Sequence, residues 1–512
     1  MRAVDLYPRT QAPPSRRRED PAGVDFSHLR HFQVGRTAVL EPLAPEPTAE
    51  FVETLRARRA VPLPTPIAVP KPIPSIAGSR FFIWKQDPSV GELGRRLTFI
   101  PSLVVNGPRD ARVETNLPGT TPVTRNVDGD FLFPADTPEG DCAHTFAVVR
   151  QTLTLFERAE GGVAIPWAWN TNGNTEVLTA YPRAGLTPNA YYSRNQKALK
   201  FFYFTPSGAS EPVFTCRSLD IVAHATGHAI LDGLKPGWLA PNNPPQTGGL
   251  HESFGDLAAV FLALSQLDQA EALIAITRAD LHAKNFLAAL AEPFGAVLGR
   301  STGLGNVDSD LKLSQVSNEV HAISQVFTGA IYEILADTFM FERMRQSRTK
   351  DPARVLLEVS QRLSSLLMNA LVKAPPVGAT YVDVVNAMLR ISKEQNDPRI
   401  YRTFIYDRFA VREIVAAEAP LGIATGKIDW QDPGFADRKE DKAELTPAQP
   451  DHPSLRGAQD RAGCCGTMQL GEYAQDQKRL DADLERLSEE GETIPEVELL
   501  AEEVVELKQA FK

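Results

Sequence analysis

The chain has 512 residues, 43% of them hydrophobic, with 54 Lys and Arg against 64 Asp and Glu and a formal net charge of −10 at pH 7. That length can bury at least one large core and predicts two to four units. Between Gly471 and Lys512, thirteen acidic and five basic side chains give a net of −8, so the body is near neutral and, lacking a basic stripe, is not expected to bind nucleic acid.

The opening MRAVDLYPRTQAPPSRRREDP is polar and proline-punctuated, unlike a signal peptide. No stretch is expected to cross a bilayer. The four cysteines, Cys142, Cys216, Cys464 and Cys465, suggest no disulfide framework. A cytoplasmic location without a membrane partner is therefore expected.

Residues 1–75 read as a proline-rich arm, largely extended, with LPTPIAVPKPIP polyproline-like, AEFVETLRARRA a short helix and Arg16–Arg18 part of a solvated tail. A β-rich region, 76–140, follows, with strands at RFFIWK, RLTFIPSLVV, ARVETN and DFLFPA. CAHTFAVVRQTLTLFERA, residues 142–159, has the spacing of a long helix. Residues 160–215 return to short strands and loops, with Trp167 and Trp169 alternating on a strand and Asn189 to Tyr192 at a turn. Helices are then expected around His224, from His251, and over 320–339, 355–373 and 381–395. Residues 431–512 form a polar, acidic tail ending in a charged helix, with Cys464 and Cys465 as exposed thiols. No repeat is evident.

The chemistry is concentrated in SLDIVAHATGHAILDGL and GGLHESFGDLAAVF. His224 and His228, four apart, project from one helix face about one turn apart. Glu252 lies 24 residues after His228 in a second apolar segment, and Asp256 follows it by one turn. Two imidazoles and a carboxylate with a fourth position left open suit a hydrolytic zinc site. The familiar first motif is H-E-x-x-H, whose Glu is the general base; here that position is Ala225. Metal binding is thus better supported than catalysis. The plainer alternatives are two satisfied helix histidines and an exposed carboxylate at Asp256. His251 reads either as a donor behind a ligand or as a helix-start residue facing solvent.

Four collinear segments, CAHTFAVVRQTLTLFER, NAYY, the two histidine and glutamate segments just quoted, and EVHAISQVFTGAIYEIL, resemble the thermolysin family of zinc metallopeptidases. The resemblance implies an α+β, two-lobed fold. Its β-rich N-terminal lobe would lead into a helical C-terminal lobe, with a metallopeptidase domain over 141–430 and zinc in the cleft. It implies His224, His228 and Glu252 as zinc ligands, Asp256 as the carboxylate orienting a ligand imidazole, and His321 as the histidine that stabilises the oxyanion. NAYY is similar to the family's edge strand, which implies that Asn189 and Ala190 pair with substrate backbone. For His321 the alternative is packing against the helices.

Several positions depart from the family pattern. Ala225 replaces the general base, His251 an Asn, and Leu239, beside Trp238, an oxyanion-binding Tyr. Val316 stands where an acidic partner of the catalytic histidine is usual, although Glu319 is near enough to substitute. Asp220 matches a calcium-binding carboxylate, but its companions are missing and no calcium site is expected. A general base contributes about 10²–10⁴-fold, roughly 3–5 kcal/mol of barrier. The expectation is a zinc-binding pseudopeptidase that holds an extended peptide or protein segment in its cleft. The alternatives are an active metalloendopeptidase with a different base and a metal-free interaction scaffold. The oligomeric state is left open.

Overall fold

A computed structural model describes residues 78–88, 94–117, 122–170, 176–206, 210–240, 242–283, 285–287, 289–290, 305–416 and 444–456. By internal contacts the chain divides into Met1–Lys71 and Pro72–Lys512, and every described residue belongs to the second unit. The N-terminal arm with its short helix, and the tail with Cys464, Cys465 and its charged helix, lie outside the described residues.

Strands β1 (Ser79–Trp84) and β2 (Arg95–Ile100) pair antiparallel, Ser79 opposite Ile100 and Trp84 opposite Arg95. Alternation buries Phe81 and Ile83, and the Phe81 ring packs on Phe131 and Phe146 at 5.1 and 5.5 Å. β2 covers only the first part of the expected RLTFIPSLVV run and stops before Pro101, which has no N–H for a ladder. DFLFPA does not form the expected strand. Asp130 Oδ1 instead accepts the Arg80 amide at 2.7 Å and Oδ2 accepts its guanidinium, leaving a single bridge between Phe81 and Phe131.

A four-stranded sheet holds β3 (Val113–Thr115), β4 (Leu178–Tyr181), β6 (Ala198–Phe201) and β5 (Ala190–Ser193) in that order. The first three strands run parallel, and β5 joins β6 antiparallel at the edge. The segments before and after residue 141 therefore share one sheet. β7 (Tyr203–Phe204) pairs with β8 (Val213–Phe214), and β9 (Ala289–Leu290) with β10 (Gly305–Asn306). Trp167 and Trp169 are in a loop, not on a strand. Trp167 is buried with its indole N–H donating to the Arg112 carbonyl at 2.9 Å, and the two rings stack 6.1 Å apart.

Helix α1 (Pro138–Ala159) starts four residues before the expected Cys142. Thr137 Oγ1 accepts the Gly140 amide at 3.0 Å, Pro138 opens the first turn, and Glu139 and Asp141 face the positive helix end. α2 (Leu219–Leu234) is capped by Ser218, which accepts the Ile221 amide, and carries Asp220, buried, in its first turn. α3 (Pro245–Leu264) begins six residues before the expected His251, behind Pro245.

Helix α5 (Val320–Gln346) outruns its expected end, while α6 (Pro352–Lys373) and α7 (Tyr381–Glu394) lie close to expectation. Neither α4 (Leu267–Thr277) nor α8 (Arg399–Val411) was anticipated. The aromatic-rich α8 is a poor helix former by propensity, but it buries Phe404 and sets Phe409 against Phe327 of α5 at 5.3 Å. α6 is long and apolar enough to cross a bilayer by length and composition, yet 61% of its apolar window is buried inside the protein. Helices and short sheets together make a mixed α+β architecture, and α1, α2, α3 and α5 to α7 supply most of the core.

Candidate metal centre

Helices α2 and α3 approach closely because small residues face each other. A Cβ on Gly227 would lie 3.0 Å from Gly255 Cα and 3.1 Å from Ala258 Cβ. This crossing sets His224 and His228, one turn apart on α2, against Glu252 and Asp256, one turn apart on α3. The start of α5 adds His321.

The three expected ligands converge. His224 Nε2 and His228 Nε2 are 3.0 Å apart, and each lies 3.6 Å from Glu252 Oε2. Zinc bonds of about 2.0–2.1 Å in a tetrahedron place neighbouring ligand atoms about 3.3 Å apart, so these separations fit a single small cation. Both Glu252 oxygens are buried and make no hydrogen bond among the described residues. A buried carboxylate in that condition needs positive charge beside it, which protonated His224 and His321 at 3.6 and 3.4 Å supply in the absence of a metal and a bound cation would supply in their place. Chemistry and spacing both suit zinc.

Asp256 Oδ1 accepts the His224 Nδ1 proton at 3.0 Å, which turns Nε2 toward Glu252. Asp256 is therefore bonded to His224 and largely shielded, not a solvated carboxylate. Burial opposes charge on His224, but Asp256 and Glu252 outweigh it and push the imidazole up to about 10. Burial would raise Glu252, yet His321, His228 and His224 hold it well below the usual carboxylate range. Burial, together with its charged neighbours His224 and His321, lowers His228.

His321 joins the cluster, with Nε2 3.4 Å from Glu252 Oε2. Its other nitrogen donates to Glu319 Oε1 at 2.5 Å, and Glu319 also caps α5 by accepting the His321 and Ala322 amides at 3.1 and 2.8 Å. Glu319, not Val316, is thus the carboxylate that pairs with His321. Burial opposes the His321 charge, but Glu252 and Glu319 outweigh it and bring the group to about 9.

Other positions offer less. Ala225 is buried among apolar side chains and presents no proton acceptor. Trp238 is buried, its indole N–H donating to the Pro375 carbonyl at 2.8 Å, and Leu239 packs against the core. Ala190 opens the edge strand β5, which packs on α2. Asn189 precedes it and is itself buried: Oδ1 accepts the Ala190 amide at 2.8 Å and the carbonyl accepts the Thr215 hydroxyl at 3.2 Å. In this conformation the Asn189 amide serves its own chain.

His251 does not face solvent. It is fully buried, with Nδ1 3.1 Å from His228 Nδ1. Burial, with His228 beside it, lowers its pKa well below the ordinary histidine value. The glycines at the helix crossing escaped the sequence reading, although their places in HATGH and HESFGD, each one turn from a ligand, were a signal.

No family model and no curated protein matches the chain. Solved structures similar to it include the precursor of protealysin, a metalloproteinase from Serratia proteamaculans. That match is 13% identical, covers 59% of this chain and 86% of that chain, and has a TM-score of 0.37. Within this chain, His224, His228 and Glu252 form a group able to hold a metal ion.

Proposed function

We propose that this protein is a thermolysin-like metallopeptidase homologue that binds zinc through His224, His228 and Glu252 and is impaired as a peptidase. The observation that carries the reading is the convergence of two imidazole nitrogens and one buried carboxylate oxygen to within 3.0–3.6 Å of one another. Zinc, when bound at such a site, polarises a carbonyl and acidifies a water molecule. Asp256 holds His224 in the tautomer that directs Nε2 inward. His321, kept cationic by Glu252 and Glu319, would face negative charge developing on a carbonyl oxygen.

What is missing is a base at position 225, and that gap alone removes about 10²–10⁴-fold of rate. On this reading an extended peptide or protein segment lies in the cleft between two lobes, along the β5 edge. It would pair with backbone near Asn189 and Ala190, once Asn189 releases its contact with its own chain. A cytoplasmic setting is part of the proposal and rests on the composition alone.

The contact between Glu319 and His321 favours a second reading, a working hydrolase with an unusual base, because it keeps the oxyanion-stabilising side of the site assembled. One experiment separates the two: zinc content of protein purified without chelator, paired with cleavage of a broad peptide library by the native chain and Ala225→Glu. The proposal expects one zinc per chain and cleavage by the variant only. Absence of zinc overturns it. Cleavage by the native chain that His224→Ala abolishes would establish the second reading instead.

A further inference from the structure

Strand β2 has an open edge. Among the described residues it pairs with β1 alone, so the backbone N–H and C=O groups of its other side make no ladder. On its outward face Leu97 and Phe99 are 49% and 55% exposed. An edge strand that holds large apolar side chains in water is a template for another chain.

Helix α1 runs beneath both strands and continues past them. Its Phe146 packs on Phe81 of β1 at 5.5 Å, and Gln151 donates to the hydroxyl of Thr98, which stands opposite Phe81 on β2. Leu155 lies about 6 Å further along α1, close to the 4.7–4.9 Å that separates paired strands. At that place the protein has a groove of about 500 Å³. Leu155 lines its floor, and Phe99 and Ile100 of β2, Leu262 of α3 and Ser364 of α6 line its walls. A vacancy of that size, one strand spacing from β2, has room for a third strand.

The groove is separate from the metal cluster, because Leu262 is ten residues from Glu252, about 15 Å along α3. Arg158 is the one charged side chain among the described residues that line it, and its guanidinium makes no hydrogen bond or ion pair among them. An apolar floor beside one unanswered positive charge suits an apolar segment with one carboxylate.

We propose that β2 and this groove bind an extended segment of another protein by strand addition. Apolar side chains of the segment would lie against Leu155 and Leu262 inside and against Leu97 and Phe99 outside, with one carboxylate on Arg158. Backbone bonds to the β2 edge supply affinity, while the groove and Arg158 select the sequence. The inference does not depend on the metal reading.

The test uses the full chain and a fluorescent, N-acetylated heptapeptide amide of alternating valine and threonine around one central glutamate, titrated by anisotropy. Two further peptides are compared, one with methylated backbone nitrogens and one with lysine in place of glutamate. Each is also titrated into Arg158→Glu, a variant that loses no contact of its own.

The native chain is expected to bind the glutamate peptide saturably, and methylation to weaken it at least about tenfold by removing the ladder donors. Arg158→Glu should weaken the glutamate peptide about threefold to tenfold, as exposed charges do, and should reverse the preference toward lysine. Equal affinity for the methylated peptide overturns strand addition. An unchanged charge preference in Arg158→Glu places the peptide elsewhere and also overturns the inference. So does a native chain that binds no peptide, and a dimer in light scattering would then make a second copy the occupant of the edge.

Discussion

A Cβ placed on Gly255 would lie 2.7 Å from Cε1 and 2.8 Å from Nδ1 of His224. The backbone of α3 is thus the wall against which the first candidate ligand rests, and the next residue, Asp256, accepts that ligand's Nδ1 proton. Orientation of His224 comes from a missing side chain and a carboxylate acting together. Gly255→Ala should push the ring away from Glu252, costing about 1–3 kcal/mol of metal-free stability by overpacking and at least about tenfold in zinc affinity. Zinc titration and thermal unfolding of the variant check this; native-like zinc affinity would contradict the packing argument.

Asp256→Asn keeps an oxygen that accepts the His224 proton but removes the negative charge behind it. Zinc affinity should fall about tenfold, and Asp256→Ala should approach about a hundredfold. Chelator competition at fixed pH measures both. Native-like affinity in both variants would show that neither the charge nor the hydrogen bond orients the ligand.

His144 supplies a pH dependence away from the metal site. Its Nδ1 accepts the Trp84 amide at 3.2 Å. Burial, aided by Arg95 and Arg217, lowers its pKa to about 3. The unfolded chain takes up this proton near pH 6.5 and the folded chain does not, so stability is full above that pH and is lost as pH falls toward 3. The group's contribution to the slope approaches about 1.4 kcal/mol per pH unit. His144→Gln, which retains an acceptor but does not titrate, should lose less stability between pH 7 and pH 5 in urea denaturation. Parallel slopes for the two proteins would refute the assignment.

Arg412 is 1% exposed and joins α8 to α5 and the preceding loop, donating to Glu333 Oε2 at 2.8 Å and to the Ser309 carbonyl at 2.5 Å. Removing one partner of a buried ion pair costs about 3–5 kcal/mol, and Arg408, 2.9 Å from Glu333, softens the loss. Arg412→Met should therefore destabilise by about 3 kcal/mol, read from the urea midpoint. A change below about 1 kcal/mol would mean that Arg408 alone satisfies Glu333.

Much of the candidate site was legible in the sequence because its spacings are local. A spacing of four from His224 to His228, and of four from Glu252 to Asp256, places each pair on one helix face whatever the rest of the chain does. The long helices were legible for the same reason, since apolar periodicity needs no partner to be read. Their starts were less so: Thr137 with Pro138 moved α1 earlier, and Pro245 moved α3, because end groups depend on which backbone amides need a cap.

Tertiary structure decided the rest. α8 is a helix because Phe404 and Phe409 find a core, DFLFPA is no strand because Asp130 takes the Arg80 amide, and Trp167 is buried in a loop rather than on a strand. Asn189 turned onto its own chain and His251 turned onto His228 for a related reason: a buried polar atom bonds to whatever the fold sets beside it. The sequence by itself determined which side chains could bind a metal. Only the close crossing of α2 and α3 at Gly227 and Gly255 determined that they meet, since the distance between two helix axes is set by side chains on both and is written in neither helix alone.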